Sequence, residues 1–412
     1  MTSSLSRRSL FTLVTLGIAA ASCGTDMAKQ APSGPSAPAE HMMANSSVTG
    51  DTAVLPVTTP SFPRDLSPGW NLGNTLEAIG SGSQPFTTSQ ETVWGNPVAS
   101  QALMNSVKAA GFRSVRIPVS WTQYADANGT ISPFWLDRVS QVVNYARNAG
   151  LYVIINVHWD GGWMQPTYAQ QAAVNAKLTK FWAQIAHNFQ TYDNHLLFAG
   201  TNEVMVTGVY STPTAENCAV QNSFNQTFVD TVRADGGNNT SRYLVVQGYN
   251  TNIDNTLLCN TNMPTDSAAN KLLMEIHYYD PYDFTLNTDS SIWQWGNIAT
   301  SPANTQTWAN EAYTDAQFQK IKVNFVDKGI PVILGEYAAS LRTEYDVPQT
   351  YRNYWDQYIT RSAYAHGIAP IYWDSGYLTN HASGLFNRST GAQGYPATIS
   401  AIVDEVNDAN NR

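Results

Sequence analysis

Eight short runs of strand-forming residues recur along the chain, separated by segments with helical periodicity, and this alternation constrains the fold more than any other feature. The predicted strands are Gly69–Asn74, Ser114–Trp121, Tyr152–Asp160, Leu196–Glu203, Arg242–Tyr249, Lys271–Tyr279, Pro331–Ala339 and Ala369–Gly376. Several are apolar nearly throughout, which indicates burial on both faces of a parallel sheet. Eight strand–helix units predict one α/β domain folded as a (β/α)8 TIM barrel. A doubly wound sheet is the alternative, but no Gly-x-Gly-x-x-Gly follows the first strand.

The segments between the strands have the apolar spacing of helices. Residues 134–146 carry one stripe at helical spacing, formed by Trp135, Val139, Val142, Val143 and Ala146. Two further helices are predicted over Thr314–Lys328 and Val347–His366. A glycine follows each of the three segments, and glycine is the residue type that most often ends a helix.

The first 61 residues do not have the pattern of a folded domain. Residues 1–22 carry a twin-arginine pair before a short apolar run, which predicts an export signal. Small residues precede Cys23 as in a lipoprotein, so lipidation of Cys23 as an anchor is one expectation and plain cleavage before it is the other. Residues 23–61 are rich in Pro, Ser and Ala and are predicted to be a linker, which leaves 62–412 as the single folded domain. The mature protein is expected to be secreted, periplasmic or lipid-anchored at the cell surface, where Cys218 and Cys259 could pair.

Charge and aromatic content bear on what the chain binds. The 22 Lys and Arg residues against 31 Asp and Glu residues give a net charge of −9. No basic face is visible, so a nucleic-acid partner is not expected. Aromatic residues make up 11% of the chain and include 12 Trp, which suits stacking on sugars, although most of these Trp are expected in the core. A monomer is the default expectation for the oligomeric state.

Polar and aromatic side chains fall at the C-terminal ends of six predicted strands. They are Arg116, His158, Asn202, Glu203, His277, Tyr279, Glu336 and Trp373. Barrel enzymes build their active sites at this end of the strands. One polar residue in an apolar strand is often a satisfied structural group, but six strands with the same pattern indicate a site.

Two of these residues are glutamates on strands four and seven, which face each other across an eight-stranded barrel. The carboxyl groups of Glu203 and Glu336 can therefore converge. Glycoside hydrolysis needs one carboxyl group to protonate the leaving oxygen and a second as nucleophile or base, about 5–5.5 Å apart in retaining enzymes. The proton donor must keep its proton near neutral pH through burial or a nearby negative charge. Arg116, His277 and Tyr279 are expected to keep the nucleophile ionised and oriented.

Other chemistries fit the sequence less well. It contains no His-Glu-x-x-His zinc motif, no Gly-x-Ser-x-Gly elbow and no Walker A loop. His158 and His277 could bind a metal together with Glu336, but their flanking residues lack metal-ligand spacing. Neither a metal nor another cofactor is expected.

Successive motifs resemble those of glycoside hydrolase family 5, in order along the chain. They are Gly69–Glu77, Glu91–Pro97, Gly111–Trp121, Ile155–His158, Asn202-Glu203, His277–Tyr279, Leu334–Tyr337, Ile371–Asp374 and Gly384–Phe386. The resemblance covers about residues 62–406. Its Trp-Gly-Asn-Pro segment is similar to the subfamily 4 branch of bacterial endoglucanases and xyloglucanases.

The resemblance implies a retaining mechanism on a (β/α)8 barrel, without a metal. Carried over by motif, Glu203 is the acid/base, Glu336 is the nucleophile, and Asn202 bonds the sugar 2-hydroxyl at the −1 subsite. The resemblance also implies that Arg116 and Tyr279 orient Glu336. His158 and His277 are implied to line the −1 subsite, and Trp373 to stack under the sugar there. Asn74, in the first motif, is implied to bind substrate as well.

The sequence departs from the family pattern at two places. Trp159 stands where this branch often has a second His after strand three, and Val204 replaces the usual Pro after the acid/base. Neither change removes a catalytic group, but Trp159 is expected to alter a minus-side subsite. Sugar platforms along an open cleft are expected among four tryptophans, with packing as the alternative, and these are Trp159, Trp163, Trp293 and Trp295.

The expected function is retaining endo-β-1,4-glucanase activity on β-glucan polysaccharides or oligosaccharides, either xyloglucan or mixed-linkage β-glucan. A mannanase or xylanase on the same scaffold is an alternative, because the glutamate pair does not distinguish these substrates. A glycan-binding barrel without catalysis is another alternative, and the presence of both Glu203 and Glu336 argues against it.

Overall fold

Eight parallel strands close into a barrel in chain order, with β1 paired to both β2 and β8. The structure is a computed structural model and describes residues 62–260 and 263–410. The strands β1 to β8 are Gly69–Leu72, Ser114–Ile117, Tyr152–Asn156, Leu196–Ala199, Leu244–Gln247, Leu272–His277, Val332–Glu336 and Ile368–Asp374. The predicted (β/α)8 barrel is confirmed, and the doubly wound alternative is wrong because the described sheet has no open edge.

Helices cover the outside of the barrel. The helices α1 to α10 of the described residues are Phe62–Asp65, Gln101–Ala109, Pro133–Asn148, Tyr168–Asn188, Ala215–Ala234, Ile253–Cys259, Tyr282–Thr285, Glu311–Asn324, Pro348–Ala365 and Pro396–Asn410. Within these residues, no helix combines the length and the apolar character that crossing a membrane requires.

The apolar side chains of the strands are divided between two cores. Ile154, Val245 and Ile333 belong to a small cluster inside the barrel. Val153 and Ile155, the chain neighbours of Ile154, belong to the larger cluster between the strands and the helices. Because side chains alternate along a strand, both faces must be apolar, which explains the continuous apolar runs in the sequence.

The helical stripe predicted for residues 134–146 is confirmed in α3. Its buried residues are Trp135, Val139, Val142, Val143 and Ala146. The chain then turns at Gly150, whose φ of +78° is a left-handed conformation that glycine adopts at little cost. Gly329 and Gly367, which follow the other two predicted helices, have φ of +80° and +78°.

The predicted strands run too far at their C-terminal ends. β3 ends at Asn156 and β4 at Ala199, whereas the apolar pattern extends them to Asp160 and Glu203. These two residues have φ of +52° and +47°, which an extended strand does not contain. Several polar residues expected within strand ends therefore lie on the first turns of the loops that follow.

The export signal over residues 1–22, the linker over residues 23–61 and the lipidation of Cys23 lie outside the described residues. They stay predictions from the sequence.

Cys218 in α5 and Cys259 in α6 form a disulfide, with their Cα atoms 4.8 Å apart. The sequence left this pairing open, and the structure contains it. The bond joins positions 41 residues apart in the chain and so closes a loop that contains β5.

Replacing both cysteines by serine is expected to lower the free energy of unfolding by about 4 kcal/mol, because opening a loop of this length returns conformational entropy to the unfolded chain. Urea unfolding followed by tryptophan fluorescence measures the change. A reducing agent provides the control, since it should destabilise the parent and leave the Cys218→Ser/Cys259→Ser variant unchanged. A parent as stable in reductant as without it would contradict the bond.

Candidate active site

The structure brings the predicted polar residues together at the C-terminal end of the barrel. Arg116 lies within β2, and His277 and Glu336 are the last residues of β6 and β7. Glu203 lies four residues beyond β4, and its backbone N–H donates to Gln247 Oε1 at 3.1 Å. This contact with β5 holds the turn that directs Glu203 toward the centre of the site.

Arg116 lies at the centre of the cluster and is fully buried. Its Nη1 donates to Glu336 Oε1 at 2.8 Å and to Asn71 Oδ1 at 3.0 Å. Its Nη2 donates to Asn202 Oδ1 at 2.6 Å. A buried guanidinium needs carboxylate partners in fixed geometry, so Arg116 ties β1, the loop after β4 and β7 to one arrangement.

Glu336 is held by two donors. Besides Arg116, the hydroxyl of Tyr279 donates to its Oε2 at 3.1 Å. Burial raises the pKa of Glu336, and the positive charges of His277 and Arg116 oppose that rise. Burial also raises the pKa of Tyr279 well above its usual range, so this phenol keeps its proton and remains a donor.

Glu203 and Glu336 approach each other closely. One carboxylate oxygen of each lies with a ring nitrogen of His277 in a group whose atoms are all within 4.8 Å of one another. That separation fits the spacing of about 5–5.5 Å in retaining glycosidases and is shorter than the 6.5–9.5 Å that inverting enzymes need for a water. The side chain of Glu203 is 30% exposed and that of Glu336 is 7% exposed, so Glu203 lies nearer the solvent.

His277 contacts carboxylates on both sides of its ring. Its Nδ1 lies 2.7 Å from Glu203 Oε1, and its Nε2 lies 3.2 Å from Glu275 Oε1. Glu336 Oε2 is 3.7 Å from the same Nδ1. Burial disfavours the charged ring, but Glu336, Glu203 and Glu275 outweigh burial and raise the pKa of His277 to about 9.

His158 has the opposite electrostatic environment. It is buried, its ring is stacked on Trp373 with centroids 5.9 Å apart, and its Nδ1 lies 3.1 Å from Asn156 Nδ2. Burial, together with the positive charges of Arg116 and His277, lowers its pKa well below the usual value. His158 is therefore a neutral imidazole beside the charged cluster.

Trp373 and Asn74 lie at the β1–β8 side of the site. Trp373 is next to the last residue of β8, and a Cβ at position 73 would lie 2.8 Å from its Cζ2, so Gly73 leaves room for the indole. Asn74 follows directly, with φ of +56°, and its backbone oxygen accepts from Asn96 Nδ2 at 2.9 Å. The roles predicted for both in sugar binding stay predictions.

The four candidate sugar platforms differ in their surroundings. The prediction is wrong for Trp295, which is 1% exposed and donates from Nε1 to Ala309 O at 2.7 Å. Trp293 stacks on Tyr345 with centroids 5.0 Å apart, so one of its faces is used in packing.

Trp163 and Trp159, which lie on the loop after β3, complete the set. Trp163 is half-buried, and the ammonium of Lys177 lies 4.2 Å from the centre of its ring, which occupies that face. Trp159 is 45% exposed and lines a cavity next to Glu203. Among the four candidates, Trp159 is the one that lines this cavity together with Glu203.

Sequence reasoning missed three buried residues of the site, namely Asn71, Gln247 and Glu275. Asn71 bonds Arg116, and its Nδ2 lies 2.8 Å from Gly335 O and 3.2 Å from Ile371 O. It therefore links β1 to β7 and β8. The signal available in the sequence was a polar residue inside an otherwise apolar strand, as at Glu275 between Met274 and Ile276.

Glu203, His277 and Glu336 are also the kinds of residue that can hold a metal ion, and their ligand atoms lie close enough together. However, both nitrogens of His277 face carboxylate oxygens at hydrogen-bonding distance. An imidazolium donates from both nitrogens and has no lone pair for a metal. The geometry therefore favours proton chemistry at this group.

Comparison with known proteins identifies the family. The model of the cellulase family, glycosyl hydrolase family 5, matches residues 77–378. The chain belongs to glycosyl hydrolase family 5. It is 39% identical to endoglucanase A of Paenibacillus barcinonensis over an alignment of 365 residues, which covers 84% of this chain and 90% of the relative. It is also 39% identical to a xyloglucan-specific endo-β-1,4-glucanase of Bacteroides ovatus, over 87% of this chain and 72% of the relative.

Solved structures of the family agree with this assignment. A family 5 xyloglucanase from Paenibacillus pabuli, in complex with a ligand, has a TM-score of 0.79 and 40% identity, covering 84% of this chain and 99% of that one. A broad-specificity endoglucanase of subfamily 4 from Bacteroides salanitronis has a TM-score of 0.79 and 37% identity, covering 89% and 99%. The resemblance found in the sequence motifs is thereby confirmed.

The contrast between the two histidines predicts separate titrations. His277 is expected to stay charged through pH 7 and to lose its proton near its folded pKa of about 9, while His158 stays neutral. Since the folded pKa of His277 lies above its ordinary value of 6.5, its contribution to stability is complete below pH 6.5 and is lost as the pH rises through about 9.

Nitrogen NMR of the imidazole rings measures both titrations, with His277→Gln and His158→Gln assigning the signals. A His277 that titrates at or below its ordinary value would contradict the carboxylate contacts described above.

Proposed function

We propose that the protein is a retaining endo-β-1,4-glucanase that hydrolyses internal bonds of β-glucans by double displacement. The observation that carries this proposal is the approach of Glu203 and Glu336 to within 4.8 Å at the C-terminal end of the barrel. Membership of glycosyl hydrolase family 5 supports the same chemistry.

In the first step, the Glu336 carboxylate attacks the anomeric carbon while Glu203 gives its proton to the leaving glycosidic oxygen. The carbon–oxygen bond to the leaving sugar breaks, and a covalent glycosyl–enzyme forms. In the second step, Glu203 takes a proton from a water molecule, the water oxygen attacks the same carbon, and Glu336 is released. The configuration at the carbon is inverted twice and so is retained.

The donors around Glu336 suit this sequence. Arg116 and Tyr279 fix the two oxygens of the nucleophile, so that one lone pair can be aimed at the sugar. When the covalent bond breaks in the second step, the same donors stabilise the returning negative charge.

Asn202 supplies a further argument for a sugar in the −1 subsite. Its Oδ1 is occupied by Arg116, whereas its Nδ2 is buried and has no hydrogen-bond partner among the described residues. A buried unpaired donor is costly, and a sugar 2-hydroxyl would satisfy it. Hydrogen bonds to this hydroxyl strengthen in the transition state of glycoside hydrolysis.

For the substrate, we propose β-1,4-glucan, with xyloglucan accepted. Relatives at 39% identity include an endoglucanase and a xyloglucan-specific endo-β-1,4-glucanase. Polymers of this kind do not cross a membrane, which fits the export predicted from residues 1–22.

Replacing Glu203 or Glu336 by alanine is expected to lower kcat by at least about a thousandfold, since each removes a group needed for bond cleavage. Product release from xyloglucan, barley β-glucan, carboxymethylcellulose, mannan and xylan is measured side by side, with Glu336→Gln as the isosteric control. Equal activity of the Gln variant and the parent, or a parent active only on mannan or xylan, would overturn the proposal.

Added azide distinguishes the two roles. In Glu336→Ala, azide should replace the nucleophile and give an α-glycosyl azide. In Glu203→Ala, azide should attack the covalent intermediate and give a β-glycosyl azide. The reverse pattern, read by NMR of the anomeric proton, would exchange the two assignments.

Trp159 is proposed to bind the sugar on the leaving-group side. It lines, with Tyr210 and Asn250, a cavity of about 120 Å³ whose wall includes Glu203. Since the acid delivers its proton to the leaving oxygen, a cavity that Glu203 itself lines is suited to the departing sugar. This position differs from the minus-side effect expected from the sequence.

Trp159→Ala is expected to lower kcat/KM on cello-oligosaccharides about five- to tenfold, which corresponds to the free energy of one aromatic contact. It should leave kcat/KM on cellobiosyl fluoride unchanged, because fluoride carries no sugar on the leaving side. Trp163→Ala serves as the matched control and should not separate the two substrates. An equal loss on both substrates with Trp159→Ala would place this residue elsewhere.

A further inference from the structure

Glu275 is a third carboxylate inside the barrel, below the catalytic pair. It lies in β6 two residues before His277, so both side chains point to the barrel interior. It is fully buried. The catalytic cycle proposed above assigns it no bond to make or break.

Each oxygen of Glu275 is occupied. Oε1 lies 2.9 Å from Arg116 Nε and 3.2 Å from His277 Nε2. Oε2 accepts from Gln247 Nε2 at 2.8 Å. Although burial opposes ionisation, Arg116 and His277 hold the pKa of Glu275 below its usual value. The carboxylate is therefore charged, and it touches both cations of the site.

The neighbouring strand leaves space for this group. A Cβ at position 335 in β7 would lie 1.9 Å from Glu275 Oε1, which no side chain could accommodate. Gly335 directly precedes Glu336, so the absence of a side chain there admits the buried carboxylate beside the nucleophile.

The charges of the cluster balance only when Glu275 is counted. Arg116 and His277 are positive, and Glu275 and Glu336 are negative, so the site is neutral when Glu203 carries its proton. Without Glu275, two cations would face one anion, and a proton would leave the site more easily. The titratable or charged groups that face His277 or Arg116 from the surrounding strands and loops are His158, Glu203, Tyr279, Glu275 and Glu336.

We propose that Glu275 is a positioning residue that keeps His277 doubly protonated, so that the Nδ1–H of His277 stays fixed on Glu203 and holds this carboxyl group in place for the first step. The inference rests on the proposed glucanase function. Glu275 acts from one layer below the site, through the ring of His277, and has no contact with the sugar.

Glu275→Gln is expected to move the alkaline limb of the kcat/KM profile to lower pH by about one unit, because His277 loses a neighbouring negative charge, gives up its proton at lower pH and no longer orients Glu203. Glu275→Asp keeps the charge, so its alkaline limb should stay close to that of the parent even where kcat falls.

Glu91→Gln is the matched control. Glu91 is 3% exposed and pairs with Arg138 at 2.9 Å outside the barrel, so this variant also removes a buried carboxylate from an arginine. It should lower stability without moving the pH profile. A Glu275→Gln profile that coincides with that of the parent, even with reduced kcat, would show a merely structural role and overturn the proposal.

Two further outcomes are distinguishable. A parent inactive on every glucan would overturn the proposed function itself, before Glu275 is tested. If Glu275→Gln does not fold, nitrogen NMR of His277 in the parent protein tests the proposal, because the proposal requires both ring nitrogens to be protonated at pH 7. A neutral His277 at that pH would overturn it.

Discussion

The buried guanidinium of Arg116 is the interaction on which the rest of the site depends. A charge without water must be met by opposite charges in fixed geometry, and Arg116 is met by Glu336 and Glu275, with Asn71 and Asn202 completing its contacts. These partners come from β1, β6, β7 and the loop after β4. The requirement to satisfy one cation therefore aligns elements that are far apart in the chain, and the carboxylate of Glu336 is positioned as part of that alignment.

The site separates its two histidines by their surroundings. His277 lies among three carboxylates and His158 lies against an indole and near two cations, so the same side chain is charged in one place and neutral in the other. The charged ring bridges Glu203 to Glu275, and the neutral ring packs on Trp373. Burial and neighbouring charges alone thus give one residue type two protonation states in the same site.

Periodicity and motif order were sufficient to predict the barrel, the eight strands, the stripe of α3 and the approach of Glu203 to Glu336. Strand ends were overextended because residues such as Glu203 adopt positive φ, which no apolar pattern reveals. The platform predicted at Trp295 was wrong because this ring is buried. Whether an aromatic ring is buried or exposed depends on which loop covers it, and the sequence does not show this. Glu275 was missed because a single acid inside a strand shows its role only when the strands close and its partners become visible.

The placement of the cluster inside the barrel also has a consequence for how the chain folds. A fragment ending after β4 would contain Arg116 and Glu203 but neither Glu275 nor Glu336. In a half-barrel the guanidinium would have to remain hydrated, and the apolar strand faces around it could not close. Burial of the active-site charges thus couples the N-terminal half of the domain to the C-terminal half, and it favours cooperative folding over stepwise addition of strand–helix units.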